Sequence, residues 1–219
     1  MSRRPKSTAT TSRGGAQASL LDAATGSATE YLIASCQTER ALKAGEHAPS
    51  FRLPDEAGVE VSSEALLSRG PMLLMFFCGS WCVPCNSDLR ALERVRKTVE
   101  VRGATVVGIS QQTVEENLKT RHRLKLGFSI LSDRGGLVCS QFGVRWQIPE
   151  LLRGLYRKSG VDLALLNGEG SWTLPISATF VVDRAGLIIC AEVNPGQVGR
   201  SNPRDILPVI GYLCGSHAV

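Results

Sequence analysis

The stretch FFCGSWCVPCNSDL, from Phe76 to Leu89, decides the fold because it joins two readable elements and carries three cysteines, Cys78, Cys82 and Cys85. It overlaps the end of the apolar run PMLLMFF, which has the length and composition of a strand buried on both faces of a sheet. It also opens the segment CNSDLRALERVRKTVEVRG, in which apolar residues recur at helical spacing before a glycine. The sequence therefore predicts a junction between a central strand and an amphipathic helix, with Cys82 and Cys85 at the helix start.

Strands and helices are predicted to alternate on both sides of this junction. A hairpin with its turn near Ala57 and Gly58 comes before it, and the β-prone runs ATVVGIS and FSILS come after it, separated by a charged helix. Helical segments then precede ISATFVVDRAGLIICAEV, which indicates two strands joined by a turn at Asp183 to Gly186. This order predicts an α/β fold with a central mixed sheet flanked by helices, an N-terminal hairpin, and a helical insertion before the last two strands.

The 219 residues favour one domain with a sizeable core, preceded by additional N-terminal segments. We expect a disordered basic tail over residues 1–18, a helical extension over residues 19–41, and the main domain over residues 42–219. The tail carries four of the basic residues behind the net charge of +5, so the remainder is close to neutral. This balance argues against a nucleic-acid partner.

No apolar run approaches the 18 or so residues of a membrane span, and no apolar signal segment follows the N-terminal basic residues. We therefore expect no membrane partner and a cytoplasmic location. The seven cysteines are an odd number, and disulfide frameworks are rare in unexported proteins of this size. Most of the thiols are expected to be reduced.

A helix N-terminus favours a thiolate over a thiol, because its unpaired N–H groups and the positive end of the helix dipole attract negative charge. A pKa lowered from about 8.5 to about 7 raises the ionised fraction at pH 7 from about 3% to about half. The two intervening residues let one helical turn bring the sulfurs together, and Pro84 fits the first turn because it has no N–H to satisfy. We therefore expect Cys82 and Cys85 to form a reversible dithiol–disulfide pair.

The motif WCVPC, between an apolar strand and an amphipathic helix, resembles the active site of thioredoxin-fold oxidoreductases. A longer similarity runs from about Leu42 to Leu213, through GEHAPSFRLPDEAG, GPMLLMFFCGSWCVPCNSDLRAL, LSDRGGLVCSQFGV and SWTLPISATFVVDRAG. Over this length the chain resembles the peroxiredoxin-like branch of the alkyl hydroperoxide reductase and thiol-specific antioxidant family. The resemblance implies a thioredoxin-like fold and a thiol-based oxidoreductase, of antioxidant type, that needs no cofactor.

In that family the peroxide-attacking thiol corresponds to Cys85, so Cys82 stands in place of a threonine. The family's proline seven residues before that thiol corresponds to Cys78, and an arginine from a later strand corresponds to Ser177, where thioredoxins carry a cis-proline. The resemblance therefore implies that Cys82 and Cys85 are the catalytic residues. The residues expected to contact the substrate are Trp81, Pro84 and Ser177.

The resemblance leaves the substrate open between a hydroperoxide and a disulfide. With a hydroperoxide, Cys85 would become a sulfenic acid and Cys82 would condense with it. With a disulfide, Cys82 would attack and Cys85 would resolve the mixed disulfide. We expect a dithiol electron donor such as thioredoxin, or glutathione, to restore the pair, and the protein to be able to form a homodimer. Two other hypotheses are a thioredoxin-type protein disulfide reductase without peroxidase activity and a redox-silent thioredoxin-fold interaction module.

The spacing of Cys78, Cys82 and Cys85 also fits the CxxxCxxC motif of enzymes that bind an iron–sulfur cluster. The predicted strands are too few for the barrel of such enzymes, and Pro84 stands where that motif usually has an aromatic residue. We therefore expect no bound metal. Cys78 is more typical of a small buried residue than of a third redox thiol.

Overall fold

A computed structural model of the chain describes residues 10–196 and 203–215. The strands are β1 (Arg52–Pro54), β2 (Glu60–Ser62), β3 (Met72–Phe76), β4 (Thr105–Ser110), β5 (Ser129–Ser132), β6 (Arg145–Gln147), β7 (Thr173–Pro175), β8 (Ser177–Val182) and β9 (Ile188–Asn194). The helices are α1 (Thr10–Ala34), α2 (Ser63–Arg69), α3 (Val83–Val101), α4 (Val114–Leu124), α5 (Leu137–Gln141), α6 (Glu150–Lys158), α7 (Leu163–Asn167) and α8 (Leu207–Gly215), with 3-10 turns at Gln37–Arg40 and Pro203–Ile206. None of the helices in these two ranges combines the length and apolar character that a membrane span requires.

Five strands form the central sheet, in the spatial order β5-β4-β3-β8-β9. The middle strand, β3, pairs in parallel with β4 and antiparallel with β8. On the outside, β5 is parallel to β4, and β9 is antiparallel to β8. The mixed sheet and its central strand are therefore confirmed. The hairpin of β1 and β2 and the helices α5 and α6 before β8 also occur where they were predicted, whereas α7 was not predicted.

The side chains of β3 and of the residue after it alternate between two apolar cores, because successive residues of a strand point to opposite faces. Met72, Leu74 and Phe76 pack in the core beneath α1 and α6. Leu73, Met75 and Phe77 pack in the core beneath α3 and α8. The residues of α3 that face the second core are those predicted from their spacing, Leu89, Leu92, Val95 and Val99. Burial on both faces explains why the run that forms β3 is continuously apolar.

Two predicted turns are confirmed and share one mechanism. Asp55 in the first turn and Asp183 in the second each accept hydrogen bonds from the N–H groups two and four residues ahead. A glycine stands three residues after each aspartate, with φ of 79° at Gly58 and 84° at Gly186. The aspartate closes the turn and the glycine supplies the left-handed backbone that it needs.

Helix α1 begins earlier than predicted. We expected a disordered tail as far as residue 18, but α1 spans Thr10–Ala34, while residues 1–9 lie outside the described part of the chain. Its inner face buries Ala28 and Leu32 in the first core. Once packing has fixed these turns, each further residue extends the helix at little cost in free energy, even with an average helix propensity. The division between extension and main domain at residue 42 stays a prediction.

Two valines of α3 test this packing. Val99 is 1% exposed, whereas Val101 is 88% exposed. Val99→Ala removes two buried carbon atoms and leaves a cavity, so we expect the free energy of unfolding to fall by about 2 kcal/mol. The matched change Val101→Ala should alter it by less than about 0.5 kcal/mol. Urea unfolding followed by circular dichroism measures both, and equal losses would contradict the orientation of α3.

Candidate active site

The end of β3 and the start of α3 hold the three cysteines of the motif. Phe77 still donates its N–H to a carbonyl of β4, and the chain then turns so that the Cys82 N–H donates to the Gly79 carbonyl. Cys82 is the N-cap residue of α3, and the Cys85 N–H donates to Cys82 Sγ over 3.3 Å. Pro84 lies in the first turn of the helix, as expected. A sulfur therefore takes the place that an oxygen occupies in most helix caps.

The sulfur atoms of Cys78, Cys82 and Cys85 all lie within 4.8 Å of one another, and all three are free thiols. Cys85 is fully buried, Cys82 is 5% exposed, and Cys78 is partly buried. Cys78 Sγ also donates to the Pro175 carbonyl at the end of β7 over 3.3 Å. Cys78 was expected to be a small buried residue rather than a third redox thiol, and the structure places its sulfur in the same cluster as the other two.

Three hydrogen bonds fix the backbone of Ser80 in the loop before α3. The Ser80 N–H donates to Gln112 Oε1 over 2.7 Å, and the Ser80 carbonyl accepts from Asn86 Nδ2 over 2.9 Å and from Arg123 Nη2 over 2.8 Å. Gln112 is fully buried and follows the carboxyl end of β4. Sequence reasoning missed these three residues. A signal for Gln112 exists, because parallel neighbouring strands end at the same edge of a sheet.

Trp81 packs edge-on against Tyr156 of α6, with the ring centroids 5.5 Å apart. Its indole nitrogen is buried and has no hydrogen-bond partner among the described residues. A β-carbon at Gly79 would lie 2.7 Å from that nitrogen, and Gly79 has a φ of 152°. Glycine at this position therefore allows the indole to lie directly against the loop that carries the thiols.

A cavity of about 40 Å³ lies beside the thiols. Cys78 and Cys82 line it, whereas Cys85 does not. A bound water needs about 10–15 Å³ of such space, so the cavity accommodates a molecule of a few non-hydrogen atoms. The residues that α1 contributes to its wall are Thr25, Ala28, Thr29 and Leu32. Thr29 Oγ1 also donates to the Pro195 carbonyl after β9 over 3.1 Å, which holds α1 over the cavity.

The residues predicted to contact the substrate do not all reach this cavity. Trp81 and Ser177 line it, and Pro84 does not. Pro84 belongs to the first turn of α3, where it shapes the helix start rather than the cavity wall. The described residues contain no cis peptide bond, so the cis-proline of thioredoxins has no counterpart at or beside Ser177.

The three thiols influence one another's ionisation. The pKa of Cys78 is raised well above its ordinary value, first by its hydrogen bonds with Cys82 and Cys85, and then by burial and the neighbouring charges. For Cys82 the largest influence, a hydrogen bond with Cys78, lowers the pKa, but the hydrogen bond with Cys85, burial and the charge of Cys85 outweigh it and raise the pKa. Our expectation of a pKa lowered by the helix terminus is therefore wrong for Cys82, because burial and crowding dominate. The cluster holds no more than one negative charge near neutral pH.

Residues 44–190 match the AhpC/TSA family, which is more than half of the chain. The chain belongs to this family. It is therefore a thiol-dependent oxidoreductase of peroxiredoxin-like type, as the resemblance implied. Helix α1, which closes one side of the cavity, lies outside the matched residues.

Individual relatives agree with this membership. A putative peroxiredoxin of Mycobacterium tuberculosis is 31% identical over 104 residues, which cover 48% of this chain and 68% of the relative. Peroxiredoxin Bcp of Escherichia coli K12 is 34% identical over 104 residues, or 47% of this chain and 65% of the relative. The crystal structure of peroxidoxin BcpB from Mycobacterium tuberculosis superposes with a TM-score of 0.62 at 21% identity, over 81% of this chain and 99% of that chain. The thioredoxin-like fold is thereby confirmed.

Three thiols within 4.8 Å are also donors that soft ions such as Zn²⁺ and Cu⁺ prefer. Within the described residues, no histidine or carboxylate joins them to complete a four-coordinate site. A zinc site of the structural type needs that fourth donor. Within the described residues, the cluster of this AhpC/TSA protein therefore lacks the fourth donor of a structural zinc site.

A larger cavity, of about 480 Å³, lies between the β1–β2 hairpin, α2 and strands β4 and β5. Charged and hydroxyl side chains such as Arg52, Glu60 and Ser62 line it, but no cysteine or histidine does. It therefore offers no thiol. The smaller cavity at the thiols is therefore the better site for the chemistry of the family.

We expect Cys82 to titrate above the range of an ordinary thiol. The ultraviolet absorbance of thiolates, compared between the reduced protein and Cys82→Ser, isolates the ionisation that depends on Cys82. Because the hydrogen bond with Cys85 and burial raise the pKa of Cys82, this difference should have its midpoint above about 8.5. Cys190→Ser, a change on β9 outside the cluster, controls for the loss of one thiol. A midpoint near neutral pH would contradict this expectation and show that the helix terminus has the largest effect on the pKa of Cys82.

Proposed function

We propose that this AhpC/TSA protein reduces small hydroperoxides, with Cys82 as the attacking thiol and Cys85 as the thiol that closes the disulfide. The position of Cys82 carries the proposal: it lines the cavity, and its sulfur lies within 4.8 Å of the Cys85 sulfur. Cys85 is fully buried and does not line the cavity. The accessibility of the two sulfurs thus supports an order of attack opposite to the one that the resemblance implies for a hydroperoxide.

Cys82 must lose its proton before it attacks. The charge of Cys85 is among the causes that raise the pKa of Cys82, which is the effect of a thiolate at Cys85. Such a thiolate serves as the base for Cys82, because the two sulfurs are close enough to exchange a proton directly or through one water. The Cys85 N–H then stabilises the resulting Cys82 thiolate through the bond that it already donates.

The reaction then balances within the pair. The Cys82 thiolate attacks one peroxide oxygen, an S–O bond forms, the O–O bond breaks, and the departing hydroxide or alkoxide takes the proton held by Cys85. The products are water or an alcohol and a Cys82 sulfenic acid. The Cys85 thiolate attacks the Cys82 sulfur, forms the disulfide and releases hydroxide, which takes a proton from solvent. Two electrons have passed from the thiols to the peroxide.

The regenerating thiol is proposed to attack Cys82, since Cys85 has no exposed surface. A dithiol donor such as thioredoxin, or glutathione, suits this step, and we place it in the cytoplasm. The side chain of Val83, exposed next to Cys82, gives such a donor an apolar contact at the rim. Because α1 covers the cavity, a protein donor requires α1 to move. A homodimer, if formed, must leave this rim open.

Single-turnover consumption of hydrogen peroxide by the reduced protein tests the assignment. We expect Cys82→Ser to abolish consumption, and Cys85→Ser to slow it, because Cys82 loses its base but keeps its access to the cavity. Cys190→Ser should behave as the unmodified protein. Peroxide consumption that survives in Cys82→Ser and disappears in Cys85→Ser would return the attack to Cys85. No consumption by the unmodified protein would refute peroxidase activity and leave the redox-silent module.

A second candidate function is thiol–disulfide exchange. The position of Cys82 as the N-cap of α3 favours this function. The Cys82 sulfur would attack a disulfide, and Cys85 would resolve the mixed disulfide. A protein disulfide is too large for a cavity of about 40 Å³ that α1 closes on one side. The size of the accepted substrate therefore separates the two candidates.

Two neighbouring residues of α1 test this size limit. Leu32 is 4% exposed and lines the cavity, whereas Ile33 is 62% exposed and faces away from it. We expect kcat/KM to be higher for hydrogen peroxide than for cumene hydroperoxide, and Leu32→Ala to narrow the difference by enlarging the cavity. Ile33→Ala should leave the ratio unchanged. Equal responses of the two variants would show that α1 does not limit the substrate.

A further inference from the structure

We infer that Cys78 is a third redox thiol of this site, which attacks oxidised Cys82 and forms a Cys78–Cys82 disulfide alongside the Cys82–Cys85 disulfide. The inference rests on the proposed function, because that function is what oxidises Cys82. It assigns a role to the cysteine at the position where peroxiredoxins carry a proline.

The geometry gives Cys78 access to the reacting sulfur. Cys78 and Cys82 both line the cavity, and Cys85 does not, so a sulfenic acid formed at Cys82 shares the cavity with Cys78. Their sulfurs are already within 4.8 Å, and the loop between them is closed by the hydrogen bond from the Cys82 N–H to the Gly79 carbonyl. A disulfide bond of about 2.05 Å requires the two sulfurs to approach further, and rotation about χ1 is the movement available to each side chain.

The charges of the cluster determine when Cys78 can lose its proton and attack Cys82. The hydrogen bonds with Cys82 and Cys85, burial and the charges of these two neighbours all raise the pKa of Cys78, so this thiol keeps its proton while Cys82 is a thiolate. A Cys82 sulfenic acid is neutral, and its formation removes one of those charges. Cys78 then passes its proton to the Cys85 thiolate, or to solvent where Cys85 is replaced, and attacks the Cys82 sulfur. The S–S bond forms, the S–O bond breaks, and the released hydroxide takes a proton from solvent.

Cys78 can also convert the Cys82–Cys85 disulfide into the Cys78–Cys82 disulfide. A Cys78 thiolate that attacks Cys82 in the Cys82–Cys85 disulfide forms the Cys78–Cys82 bond and releases Cys85 as the leaving thiolate, with no external oxidant or reductant. The exchange moves the oxidised bond from a fully buried sulfur to two residues that line the cavity. An incoming thiol donor then meets both sulfurs of the disulfide from the cavity side.

The test begins with Cys85→Ser, treated with one equivalent of hydrogen peroxide and then blocked with N-ethylmaleimide. We expect an intact mass with two hydrogens lost, and a chymotryptic digest cut after Trp81 in which the peptide of Cys78 is linked to the peptide of Cys82. The double variant Cys78→Ser/Cys85→Ser should form no disulfide and should progress to sulfinic acid with excess peroxide. Cys190→Ser/Cys85→Ser, the matched control, should still form the link.

Further measurements separate this inference from the proposed function. If the unmodified protein consumes peroxide but Cys85→Ser yields only sulfenic or sulfinic acid, the inference is overturned and the proposed function stands. If the unmodified protein consumes no peroxide, the proposed function fails, and diamide oxidation of Cys85→Ser decides the inference by the presence or absence of the link. Should Cys85→Ser fail to fold, mapping of the oxidised, blocked unmodified protein replaces it: we expect both disulfides, and Cys82–Cys85 alone would overturn the inference.

Discussion

The hydrogen bond from the Cys85 N–H to Cys82 Sγ is the contact on which the site depends, because it ties a reactive sulfur to the first turn of a helix. Strand β3 is fully buried and ends shortly before this helix begins. Gln112 holds the loop between them by accepting a hydrogen bond from the Ser80 N–H. A hydrogen bond to a charged group contributes about 1.5–3 kcal/mol, and this one lowers the pKa of Cys82, although the side-chain hydrogen bond with Cys85 and burial outweigh it. The fold therefore acts on the chemistry through one backbone amide.

Crowding of the three thiols has two opposite effects. It raises the pKa of Cys78 and Cys82, so that the cluster carries no more than one negative charge near neutral pH. It also keeps two further thiols within 4.8 Å of the Cys82 sulfur. The resemblance to peroxiredoxins implies that Cys82 and Ser177 stand where those proteins carry a threonine and an arginine. Under the proposed function, the thiols that raise the pKa of Cys82 are also those that would resolve its sulfenic acid.

The features that the sequence predicted are those that local pattern determines. The apolar run of β3, the buried face of α3, the turns at Asp55 and Asp183, and the placement of two thiols at a helix start all follow from spacing within a short segment. Contacts across the chain were not predictable in this way. The approach of Cys78 depends on how the loop turns, and the support from Gln112 depends on which strands are neighbours.

The predicted lowering of the Cys82 pKa was wrong because it, too, depends on contacts that local pattern does not reveal. A helix terminus can be recognised in the sequence, but burial and the proximity of Cys85 cannot. The N-terminal segment is a further case. Its first residues form part of a helix because a later stretch packs against the first core, and composition alone does not reveal that packing.

The thiols and one wall of the cavity beside them come from different parts of the chain. The thiols and their support lie within residues 44–190, the part shared with the AhpC/TSA family, whereas one wall of the cavity comes from a helix upstream of it. Substitutions in that helix can reshape the entrance while leaving the β3–α3 junction untouched. The space beside the thiols can therefore change in size through substitutions that leave the three cysteines and their supporting residues intact.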